Sequence, residues 1–164
     1  MLRKEFTFTD YDGKERTIEA YFHLTKNDAI DLNDAFKEEG GLIEYLKTLI
    51  KESKEHPDEP PTQPFIKFVR QLVSKSYGIR PKYDRGLFLK EDDNGNPLVR
   101  SFKGTPAYDD FVFGLLSGKE DLSEFTDGIM PEVDASQIDE AKKMLAAEGI
   151  ELPPENEPPA LQEV

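Results

Sequence analysis

Alternation of polar and apolar residues along the first 24 positions predicts two β-strands. Lys4 to Thr9 alternates with a period of two and is rich in aromatic and β-branched residues, which is typical of a half-buried strand. Arg16 to Leu24 repeats the pattern. Asp12-Gly13 lies between them and favours a type I′ turn, in which both central residues have positive φ. Because an isolated two-stranded hairpin is marginal in water, we expect it to pack on the rest of the chain.

Helical spacing of apolar residues dominates the remainder of the chain and predicts about five helices. The first is capped by Thr25, with Asp28 in its first turn, and ends at Gly40-Gly41. The five apolar stripes are Ala29, Leu32 and Phe36; Leu42, Ile43, Leu46, Leu49 and Ile50; Phe65, Phe68, Val69, Leu72 and Val73; Tyr108, Phe111, Val112, Leu115 and Leu116; and Leu122, Phe125 and Ile129. The predicted fold is α+β, with an N-terminal β-hairpin packed on a mainly helical body.

Two segments interrupt the helical pattern. Four prolines between His56 and Pro64 prevent a continuous helix there. Further along, Leu87–Leu89 and Leu98-Val99 flank the polar stretch Asp92–Pro97. That arrangement predicts a short hairpin with a polar tip.

Charge is distributed unevenly along the 164 residues. The chain has 34 acidic and 21 basic residues, a net charge of −13, and residues 132–164 carry nine of the acids but only two lysines. They also contain four of the 12 prolines. Such a segment cannot bury enough apolar surface to offset the entropy of ordering it. We therefore predict a folded domain over 1–131 and an acidic tail over 132–164, with one possible short helix at Ser136–Ala147.

Composition also narrows the possible chemistry. The chain has no cysteine and only two histidines, His23 and His56, and it lacks the GxSxG, HExxH and phosphate-loop motifs. The acidic turn around Gly95 lacks the ligand order of a calcium loop, so we expect a solvated turn. We predict a protein that is not an enzyme and has no cofactor or metal site. The net charge of −13 argues against a basic nucleic-acid-binding surface.

The sequence offers no evidence of membrane insertion or export. No apolar run approaches the roughly 20 residues of a membrane span, and the first ten residues lack the apolar core of a signal peptide. The expected location is therefore the cytoplasm.

Aromatic residues provide the best candidates for a binding surface. Phe113 lies off the stripe that contains Phe111 and Leu115, so the helix around it is apolar on more than one face. Such a helix is either wrapped by neighbouring elements or offered to a partner. The candidate partner contacts are Phe65, Phe68, Leu72, Phe111, Phe113 and Leu115; the alternative is that these residues fill the core.

Several segments, taken in order, resemble tail assembly chaperones of long-tailed phages and prophages of Gram-positive bacteria. They are Phe6–Gly13, Tyr21–Lys26, Gly40–Leu46, Ser76–Gly78, Thr105–Phe111 and Phe125–Pro131. The resemblance spans roughly 1–131. The sequence departs from the family pattern in three places. The proline segment and the turn at Asp92–Pro97 are longer than expected, and the acidic tail is an addition.

The resemblance implies a binding function in the infected host cytoplasm. Members of this family coat the aggregation-prone helical tape measure protein, bring tail tube protein to it, and are absent from the finished virion. A groove or face of apolar residues suits such a helix, and strong negative charge keeps the complexes apart.

Two further possibilities follow from the residues alone. The acidity could make the chain a DNA mimic, a decoy that blocks a nucleic-acid-binding host protein through its tail. Separately, the free edge of the N-terminal hairpin could add to the sheet of a neighbouring copy, which predicts self-association.

Overall fold

The computed structural model describes residues 1–131, and it confirms the α+β class. The predicted helix Ser136–Ala147 and the predicted acidic tail lie outside the described residues. Within the described range are a three-stranded antiparallel sheet and six α-helices. The strands are β1 (Leu2–Thr9), β2 (Glu15–Phe22) and β3 (Tyr77–Gly78); the helices are α1 (Lys26–Ala35), α2 (Leu42–Glu55), α3 (Gln63–Ser76), α4 (Val99–Lys103), α5 (Pro106–Ser117) and α6 (Leu122–Ile129).

The N-terminal hairpin forms as predicted, but its turn differs. β1 and β2 pair without a bulge, from Leu2 opposite Phe22 to Thr9 opposite Glu15. Only Gly13 has a positive φ, 78°, so the predicted type I′ turn is wrong. Gly13 N donates to Asp10 O, and Asp10 N donates to Lys14 O. This is a turn followed by one left-handed residue, which needs glycine at a single position.

The first helix begins with the predicted cap. The hydroxyl of Thr25 accepts from the Asp28 amide at 3.1 Å, while the Asp28 carboxylate accepts from the Thr25 amide at 2.8 Å. This reciprocal capping box satisfies amide groups that the helix itself leaves unpaired. Helix α1 ends at Ala35, and a short 3-10 turn, Lys37–Glu39, leads to the glycine pair that precedes α2.

A third strand follows α3 directly and was not predicted. Tyr77 and Gly78 pair with Phe22 and Tyr21 at the end of β2. A Cβ at position 78 would lie 2.5 Å from the Phe88 ring and 2.7 Å from the carbonyl oxygen of Leu89. Only glycine therefore allows the chain after β3 to fold back this closely.

The predicted hairpin at Leu87–Val99 is only partly correct. Asp92 N donates to Asn96 O, Gly95 has a φ of 78°, and Glu91 bridges to Pro97, which is the polar tip that the pattern indicated. Leu89, however, pairs with Ile79 rather than with the second arm. Val99 begins helix α4 instead of continuing a strand, because the local pattern of five residues contained no clear helical period.

The core lies between the inner face of the sheet and the helices. Phe22 is fully buried at its centre. Five aromatic rings surround Phe22 at centroid distances of 5.4–6.4 Å: Phe6, Tyr77, Phe102, Phe111 and Phe125. Burial of each large apolar side chain contributes about 1.5–3 kcal/mol, so this cluster joins the strands to α4, α5 and α6.

Candidate protein-binding surfaces

Five of the six predicted contact residues lie in the core. Their side chains are at most 6% exposed, and they occupy the inner faces of α3 and α5: Phe65, Phe68, Leu72, Phe111 and Leu115. Phe68, for example, packs against the rings of Phe36 and Tyr45 at 5.0 and 5.1 Å. In this conformation these five residues act as packing residues, which was the alternative that the sequence left open.

Phe113 is the exception, since 67% of its surface is exposed. Two residues along an α-helix correspond to a rotation of about 200°, so Phe113 points away from the side that Phe111 and Leu115 bury. Asp109 and Asp110, one turn earlier, are exposed as well. The outer face of α5 therefore presents one large aromatic ring beside two carboxylates.

A second feature is a depression of about 220 Å³ at the ends of four helices. Its walls combine apolar and polar residues from the end of α2, the start of α3, the end of α5, the start of α6 and the connection between α5 and α6: Ile50, Ser53, Lys54, Phe65, Leu115, Gly118, Glu120, Asp121, Leu122 and Ser123. Two predicted contact residues, Phe65 and Leu115, thus meet here. The sequence alone did not reveal the other residues that line the depression. Ile50 and Leu122, for example, belong to different predicted stripes, and only packing brings those stripes together.

Charged groups fix the rim of this depression. Lys4 of β1 forms an ion pair of 2.5 Å with Glu120, and its ammonium lies 5.0 Å from the ring centroid of Phe111. The Asp121 carboxylate accepts from the Glu124 amide at 3.0 Å and caps α6. Because both carboxylates have partners, the connection between α5 and α6 is held in place beside the depression.

The outer face of the sheet carries a cationic cluster that the sequence did not reveal. The Glu19 carboxylate accepts hydrogen bonds from the Tyr21 hydroxyl and from Arg3, both at 2.5 Å, and Arg85 lies 3.4 Å away. These interactions lower the pKa of Glu19 from 4.5 to about 2, with the Tyr21 hydrogen bond as the largest cause. Arg80 covers the Tyr21 ring at 5.7 Å, so the segment after β3 is pinned to the hairpin.

The described residues show no group of three or more His, Asp or Glu side chains that could hold a metal ion. Asp92 instead uses its carboxylate to accept from the amides of Asn94 and Asn96, at 2.9 and 2.8 Å. His23 is half-buried, and burial lowers its pKa; its Nδ1 atom has no hydrogen-bond partner among residues 1–131. Along the same range, no helix is long and apolar enough to cross a bilayer.

A family model described as phage tail assembly chaperone matches residues 1–163. The chain belongs to this family. No curated protein and no solved structure is similar enough to match. The match confirms the resemblance to phage tail assembly chaperones that the segments between Phe6 and Pro131 carried. It also continues past Pro131, so the acidic segment is part of what the family model matches rather than an addition to it.

As a tail assembly chaperone, the protein is expected to act on other tail proteins. Two candidate surfaces lie within residues 1–131: the outer face of α5 with Phe113, and the depression at the ends of α2, α3, α5 and α6. They lie on different sides of α5, because Leu115 lines the depression while Phe113 is about 200° away around the helix axis.

Proposed function

We propose that this tail assembly chaperone binds a long amphipathic helix of the tape measure protein and keeps it soluble until the tail is built. The observation that carries the proposal is Phe113, a large aromatic side chain that is 67% exposed on an otherwise well-packed helix. Aromatic residues are enriched in protein–protein interfaces, so an exposed phenyl ring is a candidate anchor for a partner. Family membership indicates that this partner is a tail protein.

The depression supports the same proposal through its size. Small-molecule sites usually measure roughly 300–1,000 Å³, and this one measures about 220 Å³. It therefore suits one anchoring side chain of a partner helix better than a cofactor or substrate. Helices that dock in grooves present apolar anchors at positions i, i+3 and i+4. One such anchor would enter between Ile50, Phe65 and Leu122.

Acidity supports the release and solubility that a chaperone requires. With a net charge of −13, complexes of the chaperone with cargo repel one another and stay dispersed. We place this activity in the host cytoplasm, followed by recruitment of tail tube protein and release before the virion is complete. In this proposal the protein works by binding alone and makes or breaks no covalent bond.

Co-expression with the tape measure protein tests the proposal at Phe113. We expect the wild-type chain to keep the tape measure protein soluble and to copurify with it, and Phe113→Ala to weaken both effects. Tyr11→Ala is the matched control, because Tyr11 is an aromatic residue with 78% exposure at the hairpin turn. Equal complex formation by both variants, or no complex with the wild type, would contradict the proposal.

The depression has a separate test. Ser53→Trp would place a bulky ring where Ser53 lines the wall, and it should block an incoming anchor side chain. Lys51→Trp adds the same ring at an exposed position two residues earlier on α2 and should leave binding intact. If Ser53→Trp binds the tape measure protein as well as Lys51→Trp does, the depression is not the docking site.

The decoy function remains a second candidate, because residues 132–164 carry a net charge of −7. Removing this segment separates the two functions. A chaperone that binds through α5 and the depression should retain much of its cargo binding. A DNA mimic that acts through the tail should lose its host target, which pull-down from host extract would reveal.

A further inference from the structure

The outer edge of β1 has a geometry that suits another strand, and we propose that it pairs antiparallel with β1 of a second copy of this chain. The pairing is about a two-fold axis that places Phe6 opposite Phe6 of the second copy. This inference does not depend on the proposed cargo, because it concerns the purified chain alone.

The hydrogen-bonding pattern between β1 and β2 shows which backbone groups of β1 point away from β2. Asp10 N donates to Lys14 O at 2.8 Å, which makes this a hydrogen-bonded pair. Such pairs alternate with non-bonded ones along an antiparallel ladder. In the observed register, even-numbered residues of β1 therefore bond to β2. The N–H and C=O groups that point outward belong to Arg3, Glu5, Thr7 and Thr9.

These outward groups have no hydrogen-bond partner anywhere in residues 1–131. The opposite edge differs, because β3 covers the end of β2 at Tyr21 and Phe22. Proteins usually protect an open edge with proline, a bulge or charged side chains, lysine in particular. β1 has neither proline nor bulge, and its two cations, Arg3 and Lys4, are paired with Glu19 and Glu120, both at 2.5 Å.

Burial across the sheet also leaves room for a neighbour. Among the inward-facing residues of β2, Ala20 and Phe22 are fully buried and Ile18 is half-buried; on β1, Phe8 is buried, whereas Leu2 and Phe6 are only half-buried. An added strand would cover these two side chains. In the proposed register Phe6 meets Phe6 of the second copy in a non-hydrogen-bonded pair, where side chains lie closest.

Ladder length and charge together select this register among the two-fold alternatives, since centring the axis on Thr7 would leave Arg3 opposite Tyr11, beyond the end of the strand. Centring the axis on Phe6 places Arg3 opposite Thr9 and Glu5 opposite Thr7 of the second copy, and all four outward residues find partners. Centring it on Glu5 or on Lys4 would place like charges directly opposite each other, which is destabilising. The strand also carries two cations and one anion, so the edge itself is not acidic although the chain is.

Charge changes at Thr7 test the pairing, with mass measured by sedimentation of the full chain over a wide concentration range. Wild type should dimerise as concentration rises. In the proposed dimer, position 7 of each copy lies opposite Glu5 of the other. Thr7→Lys should therefore form two ion pairs and lower the dissociation constant about three- to tenfold. Thr7→Glu should raise it by a similar factor, because it places like charges opposite each other. Thr17→Lys and Thr17→Glu, on the same face but one strand away, should change it far less.

The absence of cysteine from the chain allows a direct check of register. Glu5→Cys mixed with Thr7→Cys should form a disulfide between chains under mild oxidation, because directly opposite residues lie within disulfide reach. Each variant alone should cross-link much less. A monomer at every concentration, equal shifts for Thr7→Lys and Thr7→Glu, or no cross-linking in the mixture would overturn the proposal.

Discussion

Phe111 and Phe113 stand two residues apart on α5 and face opposite sides of it, with exposures of 3% and 67%. Phe111 packs against Phe6, Phe22 and Phe125 at centroid distances of 5.2–5.4 Å. Phe113 lies at the surface beside two aspartates. One ring therefore stabilises the fold, and the other is available to a partner.

This difference predicts opposite effects of the same substitution. Phe111→Ala should lower the free energy of unfolding by about 3–5 kcal/mol, because it leaves a cavity among aromatic rings. Phe113→Ala should change it by no more than about 0.5 kcal/mol. Urea titrations of both variants provide the measurement. A large loss of stability in Phe113→Ala would mean that this ring is part of the packed core.

The ion pair between Lys4 and Glu120 should contribute a measurable coupling energy. It joins β1 to the connection between α5 and α6, and its side chains are 25% and 39% exposed. For a pair this accessible, a double-mutant cycle with Lys4→Ala and Glu120→Ala should give about 0.5–1 kcal/mol. The coupling should shrink at high salt. Additive effects of the two substitutions would show that the pair does not stabilise the fold.

Gly78→Ala should be destabilising although Gly78 does not have a positive φ. Its Cβ would contact the Phe88 ring at 2.5 Å and the carbonyl oxygen of Leu89 at 2.7 Å, and the backbone atom cannot move aside cheaply. We expect a loss of about 1–3 kcal/mol.

Gly104→Ala is the matched control for Gly78→Ala. Its Cβ would meet the carbonyl oxygens of Ser101 and Arg100 at 3.4 and 3.8 Å, which are ordinary contact distances, and its φ of −80° suits any residue. Thermal unfolding should show little change or a small gain in stability. Equal losses at positions 78 and 104 would contradict the close approach described at β3.

Glu19 should make part of the stability dependent on pH. Its pKa is lowered in the folded chain to about 2 from 4.5. A lowered carboxyl pKa stabilises the fold above the unfolded value, and this contribution disappears as pH falls through the folded value. The difference in the midpoint temperature of thermal unfolding between wild type and Glu19→Gln should therefore be largest above pH 4.5 and should vanish towards pH 2.

Glu5→Gln provides the comparison for Glu19. The Glu5 carboxylate lies on the same face of the hairpin, 3.8 Å from Arg3, without the short hydrogen bonds that Glu19 accepts. Its substitution should alter the pH profile of thermal unfolding much less. Identical profiles for the two variants would show that the Tyr21 and Arg3 contacts do not hold the Glu19 carboxylate in its charged form.

Local patterns predicted most elements of the fold, and the two elements that were not predicted, β3 and α4, were missed for the same reason. The hairpin, the cap at Thr25 and the stripes of α2, α3, α5 and α6 were all predicted, because each depends on residues a few positions apart. Strand β3 has only two residues, and α4 has five, too few to display a period. Their conformations depend on Phe22 and on the loop that folds back onto Gly78.

The candidate binding surfaces, too, could be predicted from the sequence only in part. The offset of Phe113 from its stripe can be read from the helical period, because a rotation of about 100° per residue sets the direction of each side chain. Whether a stripe residue is buried depends on what packs against it, so Phe65, Phe68 and Leu72 were indistinguishable from surface anchors. Likewise, the depression needs Ile50, Leu115 and Leu122 from three separate helices.

By itself, the order of residues determined the types of most elements, the family and the offset of Phe113 from its apolar stripe, since each follows from short-range spacing. Only the tertiary structure decided which apolar residues form the core, where Lys4 meets Glu120 and which edge of the sheet is unpaired among residues 1–131. These outcomes require contacts between residues far apart in the chain, and such contacts are set by packing rather than by local period.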